Sequence, residues 1–251
     1  MFDTEDREGI TLLHMKHGKS NAMDTQFCRQ FVIKLRELDT PATKAVVVTG
    51  VGGIFSAGVD LPRLLDGGET YVREFLPALN ELFGTVFAFP KPVVAAINGH
   101  AIAGGCVLAC ASDRRMMAKG DARIGLPELL VGVPFPAEPL EIMRAAVPRR
   151  WFPQVIGSGA LHDTEAALER GLIDEVVAPE QLLDRAIQAG QEMAAVRPEL
   201  FSLTKTQIRQ PAMERIDLAR KYADEVERIW TAPETFAGIR QYVEKTFKPS
   251  K

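Results

Sequence analysis

Two kinds of apolar pattern alternate through the first two thirds of the chain. "AVVVT" (Ala45–Thr49) and "VVAAI" (Val93–Ile97) are unbroken runs of β-branched and small apolar residues, which predict strands buried on both faces. "ITLLHMKHG" alternates weakly and predicts a strand, as do "SDRRMMAKG" and the short "LIDEVVA". Between these runs the apolar positions return at helical spacing. Asp24 is placed to cap a helix from Thr25 to Leu38, a second helix is expected from Glu69 to Phe87, and the segment after His100 supplies a third. "ARIGLPELLVGVPFP" is expected to be extended, broken by Pro127, Pro134 and Pro136.

From Ala137 onward the pattern is mainly helical. "PAEPLEIMRAAV", "RRWFPQVIGS" and "DTEAALERG" each predict a helix, with Glu138 and Glu141 on the exposed face of the first. The stretches "APEQLLDRAIQAGQEMAAV", "PELFSLTKTQIR", "AMERIDLARKYADEVERIW" and "APETFAGIRQYVEKTF" complete a helical end. Strands alternating with helices predict an α/β fold with parallel strands. The expected organisation is a core over residues 1–180 and a helical C-terminal subdomain over 181–251, together one structural domain.

Composition narrows the classes. The chain of 251 residues has a net charge of −3, which argues against a dedicated nucleic-acid binder. It has no apolar run long enough to cross a membrane. The acidic opening "MFDTEDREG" does not read as a secretory or transit leader, and "TFKPSK" is not a peroxisomal address, so a cytoplasmic protein is expected. Cys28, Cys106 and Cys110 are too few for a disulfide framework, and Cys106 and Cys110 read as buried core thiols, with no metal site implied.

Two of the buried strands run into glycine-rich turns. One continues as "FSAGVDL" (Phe55–Leu61), the other as "INGHAIAGGCVLA" (Ile97–Ala109). Glycine inside a helix costs about 0.5–1 kcal/mol relative to alanine, so Gly104 and Gly105 are expected at a helix start. There the first N–H groups have no intrahelical partner and carry the positive end of the helix dipole. A backbone without Cβ lets a ligand approach, and two such N–H groups facing each other form an oxyanion hole. Close packing of two backbones explains either motif alone. The pair, each after a buried strand, points to a site.

These two segments resemble the motif segments of the enoyl-CoA hydratase/isomerase (crotonase) superfamily, and "NAMD" from Asn21 and "ALERGLIDEVV" from Ala167 fall in that family's order. The resemblance implies a crotonase-like spiral of ββα units with a helical C-terminal trimerisation subdomain. It implies a homotrimer or dimer of trimers, an acyl-CoA thioester substrate, and no cofactor beyond the coenzyme A that the substrate carries. It further implies that two backbone N–H groups hold the thioester oxygen, here those of Val59 and Gly104. The adenosine end of coenzyme A is implied to lie near Lys19, Asn21, Ala22 and Ala57, with Lys245 or Lys248 reaching a phosphate. A solvated surface charge explains each of these lysines equally well.

Hydratases of the family carry two glutamates. At the first position this chain has Val107, in "GGCVLA"; at the second it keeps Glu128, in "IGLPELLVGV". The whole pattern resembles the Δ3,Δ2-enoyl-CoA isomerase branch, where a lone glutamate follows an "IGL" triplet. The chemistry agrees. A 1,3-proton shift needs one base to take a proton from C2 and return it to C4, whereas hydration also needs a positioned water. Flanked by Leu126, Pro127, Leu129 and Leu130, Glu128 is expected to have a raised pKa. The alternatives are a hydratase with Glu138 as substitute second acid, a CoA-thioester hydrolase, and a non-catalytic acyl-CoA-binding homologue. His100 is expected to be packed or hydrogen-bonded, Asp60 to cap a helix, and Asp113 to be structural.

Overall fold

The computed structural model describes residues 1–247. In chain order it comprises β1 (Phe2–Arg7), β2 (Ile10–Met15), α1 (Thr25–Glu37), β3 (Ala45–Thr49), β4 (Ile54–Ser56), α2 (Leu61–Ala88), β5 (Val93–Ile97), β6 (His100–Ile102) and α3 (Gly104–Ala111). There follow β7 (Arg114–Ala118), β8 (Ile124–Gly125), α4 (Glu128–Val131), α5 (Ala137–Ala146), α6 (Phe152–Ser158), β9 (Leu161–His162), α7 (Thr164–Glu169) and β10 (Glu175–Val177). After a 3₁₀ turn at Pro179–Gln181 come α8 (Leu182–Ala194), α9 (Pro198–Ala219), a second 3₁₀ turn (Arg220–Tyr222), α10 (Ala223–Trp230) and α11 (Pro233–Phe247).

The strands form a six-stranded sheet, β1-β2-β3-β5-β7-β10, and a four-stranded sheet, β4-β6-β8-β9. Each repeat contributes its first strand to the large sheet and its second to the small one: β3 and β4, β5 and β6, β7 and β8. The chain therefore spirals in ββα units. Only the β1–β2 and β8–β9 pairs are antiparallel among the named strands.

The unbroken apolar runs are explained by burial of the large sheet on both sides. Val46, Val48, Val93 and Ala95 face the main core with α1 and α2, while Ala45, Val47, Val94 and Ala96 face α8. Helix α8 lies so close that a Cβ on Gly190 would sit 3.3 Å from Ile10 Cγ2. The first helix of the predicted C-terminal subdomain thus forms one wall of the core.

Several expectations differ from the structure. The acidic stretch Phe2–Arg7 is a strand, an exposed edge paired with β2, and its polar pattern hid it. Helix α2 starts at Leu61, not Glu69, because Asp60 caps it by accepting from Arg63 N at 2.9 Å; Gly68 (φ 62°) then kinks it. Helix α9 runs through Pro211, where a break was expected, held by buried Lys205, Ala212 and Ile216. Glu141 is buried rather than exposed, bonded to Arg144 Nε (3.1 Å) and Arg215 Nε (2.6 Å). Asp113 has the structural role expected of it. Its carboxylate accepts from Lys205 Nζ and Arg209 Nη2, each at 2.6 Å, and from Val93 N at 2.8 Å, tying α9 to the large sheet.

Candidate active site

The two glycine-rich turns meet. Met23 N donates to Gly58 O (2.7 Å) and Asp60 N to Met23 O (3.0 Å), so the loop before α1 pairs along the turn after β4. The Val59 N–H, on the opposite edge of that turn, has no carbonyl partner among the described residues. Gly58 adopts φ +79°, and a Cβ there would lie 2.6 Å from Ile102 O and 2.9 Å from Gly104 N. Glycine is needed at 58 so that this turn can rest on the start of α3.

The structure separates the roles of the glycine pair. A Cβ on Gly105 would fall 2.4 Å from Ser56 O, so Gly105 is required by backbone packing. Gly104 is the first residue of α3, and a Cβ there would meet chiefly the flexible Met23 Sδ, at 2.9 Å. Its N–H, like that of Val59, has no carbonyl partner among the described residues. The residue before it, Ala103, is held at φ 52°, ψ −122°. Such a backbone costs an L-residue about 1–3 kcal/mol and collects at functional sites. The bond from Ala103 N to Gly125 O (2.8 Å) helps fix it. Sequence reasoning did not single out Ala103, since an alanine between isoleucine and glycine carries no sign of strain.

That same bond ties α3 to the next unit. β6 and β8 pair with Ile102 opposite Gly125, so the starts of α3 and α4 project side by side from neighbouring strands. Glu128 opens α4. Although the residue is only half-buried, its Oε2 is sealed from solvent and has no hydrogen-bond partner among the described residues. Burial pushes this carboxyl up to about 8. Its charge is felt at Cys106, in the first turn of α3, whose thiol is held well above its ordinary value by its hydrogen bond to Cys110, by burial and by Glu128. Val107 is buried in the same turn.

The other predicted residues fall elsewhere. Glu138 lies in the first turn of α5 and lines a cavity of about 500 Å³ with Asn80 and Arg220, bordered by neither Glu128 nor Val107. Burial pushes its carboxyl upward too. Asn21 is buried at φ 47°, and its side chain is spent on the frame: Oδ1 accepts from His17 N (2.8 Å) and Nδ2 donates to Phe55 O (3.0 Å). Ser56 Oγ donates to Asn21 O, and Gly58 N donates to Ser56 Oγ, which completes the turn. Ala22 and Ala57 are partly exposed beside this frame, and Lys19 is exposed. Lys245 is exposed in the last turn of α11; Lys248 lies outside the described residues. His100 is exposed and accepts from Arg123 N at Nδ1 (3.1 Å).

Comparison with known proteins bears on the family and the fold. The family model described as enoyl-CoA hydratase/isomerase matches residues 5–249. The chain is 28% identical over 219 residues to the mitochondrial enoyl-CoA delta isomerase 1 of Rattus norvegicus, covering 86% of this chain and 76% of that protein. It is 34% identical over 203 residues to a probable enoyl-CoA hydratase of Mycobacterium tuberculosis, covering 80% and 77%. The solved human mitochondrial delta3-delta2-enoyl-CoA isomerase superposes with a TM-score of 0.91 at 26% identity, covering 97% of each chain. A spiral of ββα units, strand-end glycine turns in contact and a sealed glutamate beside them thus accompany a family match over nearly the whole length, and the chain belongs to the enoyl-CoA hydratase/isomerase family.

Proposed function

We propose that this chain is an enoyl-CoA isomerase, moving a double bond from the 3 to the 2 position of an acyl-CoA thioester. In this reading the N–H groups of Val59 and Gly104 hold the thioester oxygen. Glu128, ionised, takes a proton from C2. The resulting negative charge spreads onto the thioester oxygen as a dienolate, where the two N–H groups stabilise it. Glu128, now protonated, returns the proton to C4, leaving the 2-enoyl thioester and a regenerated carboxylate. A carboxyl with a pKa near 8 is matched to both halves of this task, since it neither holds nor releases its proton too strongly near neutral pH.

The observation that carries the reading is the single sealed carboxylate, with buried Val107 where a second would be needed. Hydration with Glu138 as the second acid is less well supported, because Glu138 lines a different cavity. Thioester hydrolysis would use the same oxyanion hole but has no further group in its favour. The non-catalytic alternative leaves the unpartnered Glu128 without a purpose. Ala22, Ala57 and Lys19 are the proposed neighbours of the adenosine end, around the frame that Asn21 builds, and Lys245 remains a candidate for a phosphate. A homotrimer, or a dimer of trimers, is the proposed assembly. Leu203, Ile208 and Leu218 on α9 are 58%, 73% and 70% exposed, apolar surface that favours a partner. The reading is tested by assaying isomerisation of 3-hexenoyl-CoA against hydration of crotonyl-CoA.

A further inference from the structure

Between α2 and the C-terminal helices lie two cavities, of about 450 and 500 Å³. They share a wall of four residues: Asn80, Glu81, Glu138 and Arg220. The larger is otherwise mainly apolar, with Leu76, Phe135, Leu140 and Val226 among its lining. Both of its long sides are built by elements that also reach the candidate active site. On α2, Leu76, Asn80 and Phe83 stand at helical spacing on one stripe, and Phe83 Cζ would be 3.4 Å from a Cβ on Gly104. From Phe83 to Leu76 the helix rises about 10 Å. On the other side, the segment that starts at Glu128 reaches the cavity at Phe135–Glu138.

The shared wall holds two unused polar groups. Asn80 Oδ1 is buried without a hydrogen-bond partner among the described residues. The Glu138 carboxyl has no partner among the described residues beyond its own backbone N–H. The remaining charges are occupied: Glu81 pairs with Arg36, Glu227 with Arg73, and Arg220 with Asp217. An anionic ligand group would face Glu138, Glu81 and the Asn80 oxygen. A cationic one would compete with Arg220, whose charge already acts on Glu138. A neutral hydroxyl suits both unused groups, since it donates once and accepts twice.

Resting on the acyl-CoA reading above, we infer that this cavity takes the far end of a medium-length acyl chain bearing a hydroxyl group, which donates to Asn80 Oδ1 and, when Glu138 is protonated, accepts from its carboxyl. These two side chains then determine specificity without touching the reacting atoms. A site built to bond a hydroxyl discriminates against the chain that lacks it, because its own polar groups are left buried and unpaired.

Calorimetric titration of the full chain with octanoyl-CoA, decanoyl-CoA and their ω-hydroxy counterparts tests the inference. Saturated chains are used so that binding is read without turnover. At one of these lengths the hydroxylated chain is expected to bind about ten-fold or more tightly than its plain partner. Asn80→Leu is expected to bring that ratio close to one, and Glu138→Leu to reduce it. Equal or tighter binding of the plain chain at every length, by the unaltered protein, overturns the hydroxyl assignment and leaves the acyl-CoA reading standing. Failure to bind any of the four thioesters overturns both.

Discussion

The backbone nitrogen of Gly104 lies 2.9 Å from where a Cβ on Gly58 would be, so two turns separated by α2, β5 and β6 touch where Gly58 leaves room. This contact brings the unpartnered N–H of Gly104 close to that of Val59. Replacing Gly104 by proline removes the donor at a position, the first of a helix, where proline is otherwise tolerated. Gly104→Pro is expected to lose roughly 10²–10³-fold in turnover of 3-hexenoyl-CoA. Gly104→Ala keeps the donor and displaces only the flexible end of Met23, so it retains most of the activity. A folded Gly104→Pro protein, checked by circular dichroism, with unchanged turnover removes Gly104 from the site.

Glu128 gives activity and stability opposite dependences on pH. As a base it must be ionised, so kcat/KM for isomerisation should rise with pH through about 8 and then level off. Stability runs the other way. Between the ordinary carboxylate range and pH 8 the folded chain keeps a proton that the unfolded chain has lost, and stability falls as pH rises through that window. The melting temperature of Glu128→Gln should therefore gain on that of the unaltered protein as the buffer is moved from about pH 5 to about pH 9. A parallel pH dependence in the two proteins contradicts the assigned burial.

Asp113 holds Lys205 and Arg209, all three with nearly buried side chains. Asp113→Asn leaves two buried cations without their counter-charge. Denaturant unfolding should show a loss of about 3–5 kcal/mol, the usual cost of breaking a buried pair from one side. A change within error would mean that α9 is held mainly by its apolar contacts.

The exposed apolar residues of α9 predict self-association. Sedimentation velocity at micromolar concentration should give a trimer or a multiple of it. Ile208→Lys, which places a charge on a residue 73% exposed in the single chain, should shift the distribution toward monomer. A stable monomer in the unaltered protein excludes the proposed assembly.

What could be read from the sequence followed the strength of local signals. Ala45–Thr49 and Val93–Ile97 were legible because burial on both faces leaves only apolar residues. The start of α3 was legible because two glycines rarely sit within a helix. Phe2–Arg7 was not, since an edge strand facing solvent has no apolar period. The division of labour between Gly104 and Gly105 was also hidden. It depends on the approach of Ser56 from another strand, which no local pattern records. Glu141 was misplaced for a similar reason: its burial is compensated by Arg215, 74 residues further along. Glu128 stood out through its apolar neighbours and its place in a known motif. The unpartnered Asn80 was invisible, because a polar residue on an amphipathic helix ordinarily faces water.

In the proposed isomerisation one carboxylate moves one proton between two carbons. The most direct measurement compares two rates for the same protein: conversion of 3-hexenoyl-CoA to its 2-enoyl isomer and hydration of crotonyl-CoA, each repeated with Glu128→Gln. Rapid isomerisation, poor hydration, and loss of isomerisation in Glu128→Gln while octanoyl-CoA still binds are the expected results. Hydration much faster than isomerisation of any 3-enoyl-CoA tried, or isomerisation that survives in Glu128→Gln, contradicts the proposed isomerisation.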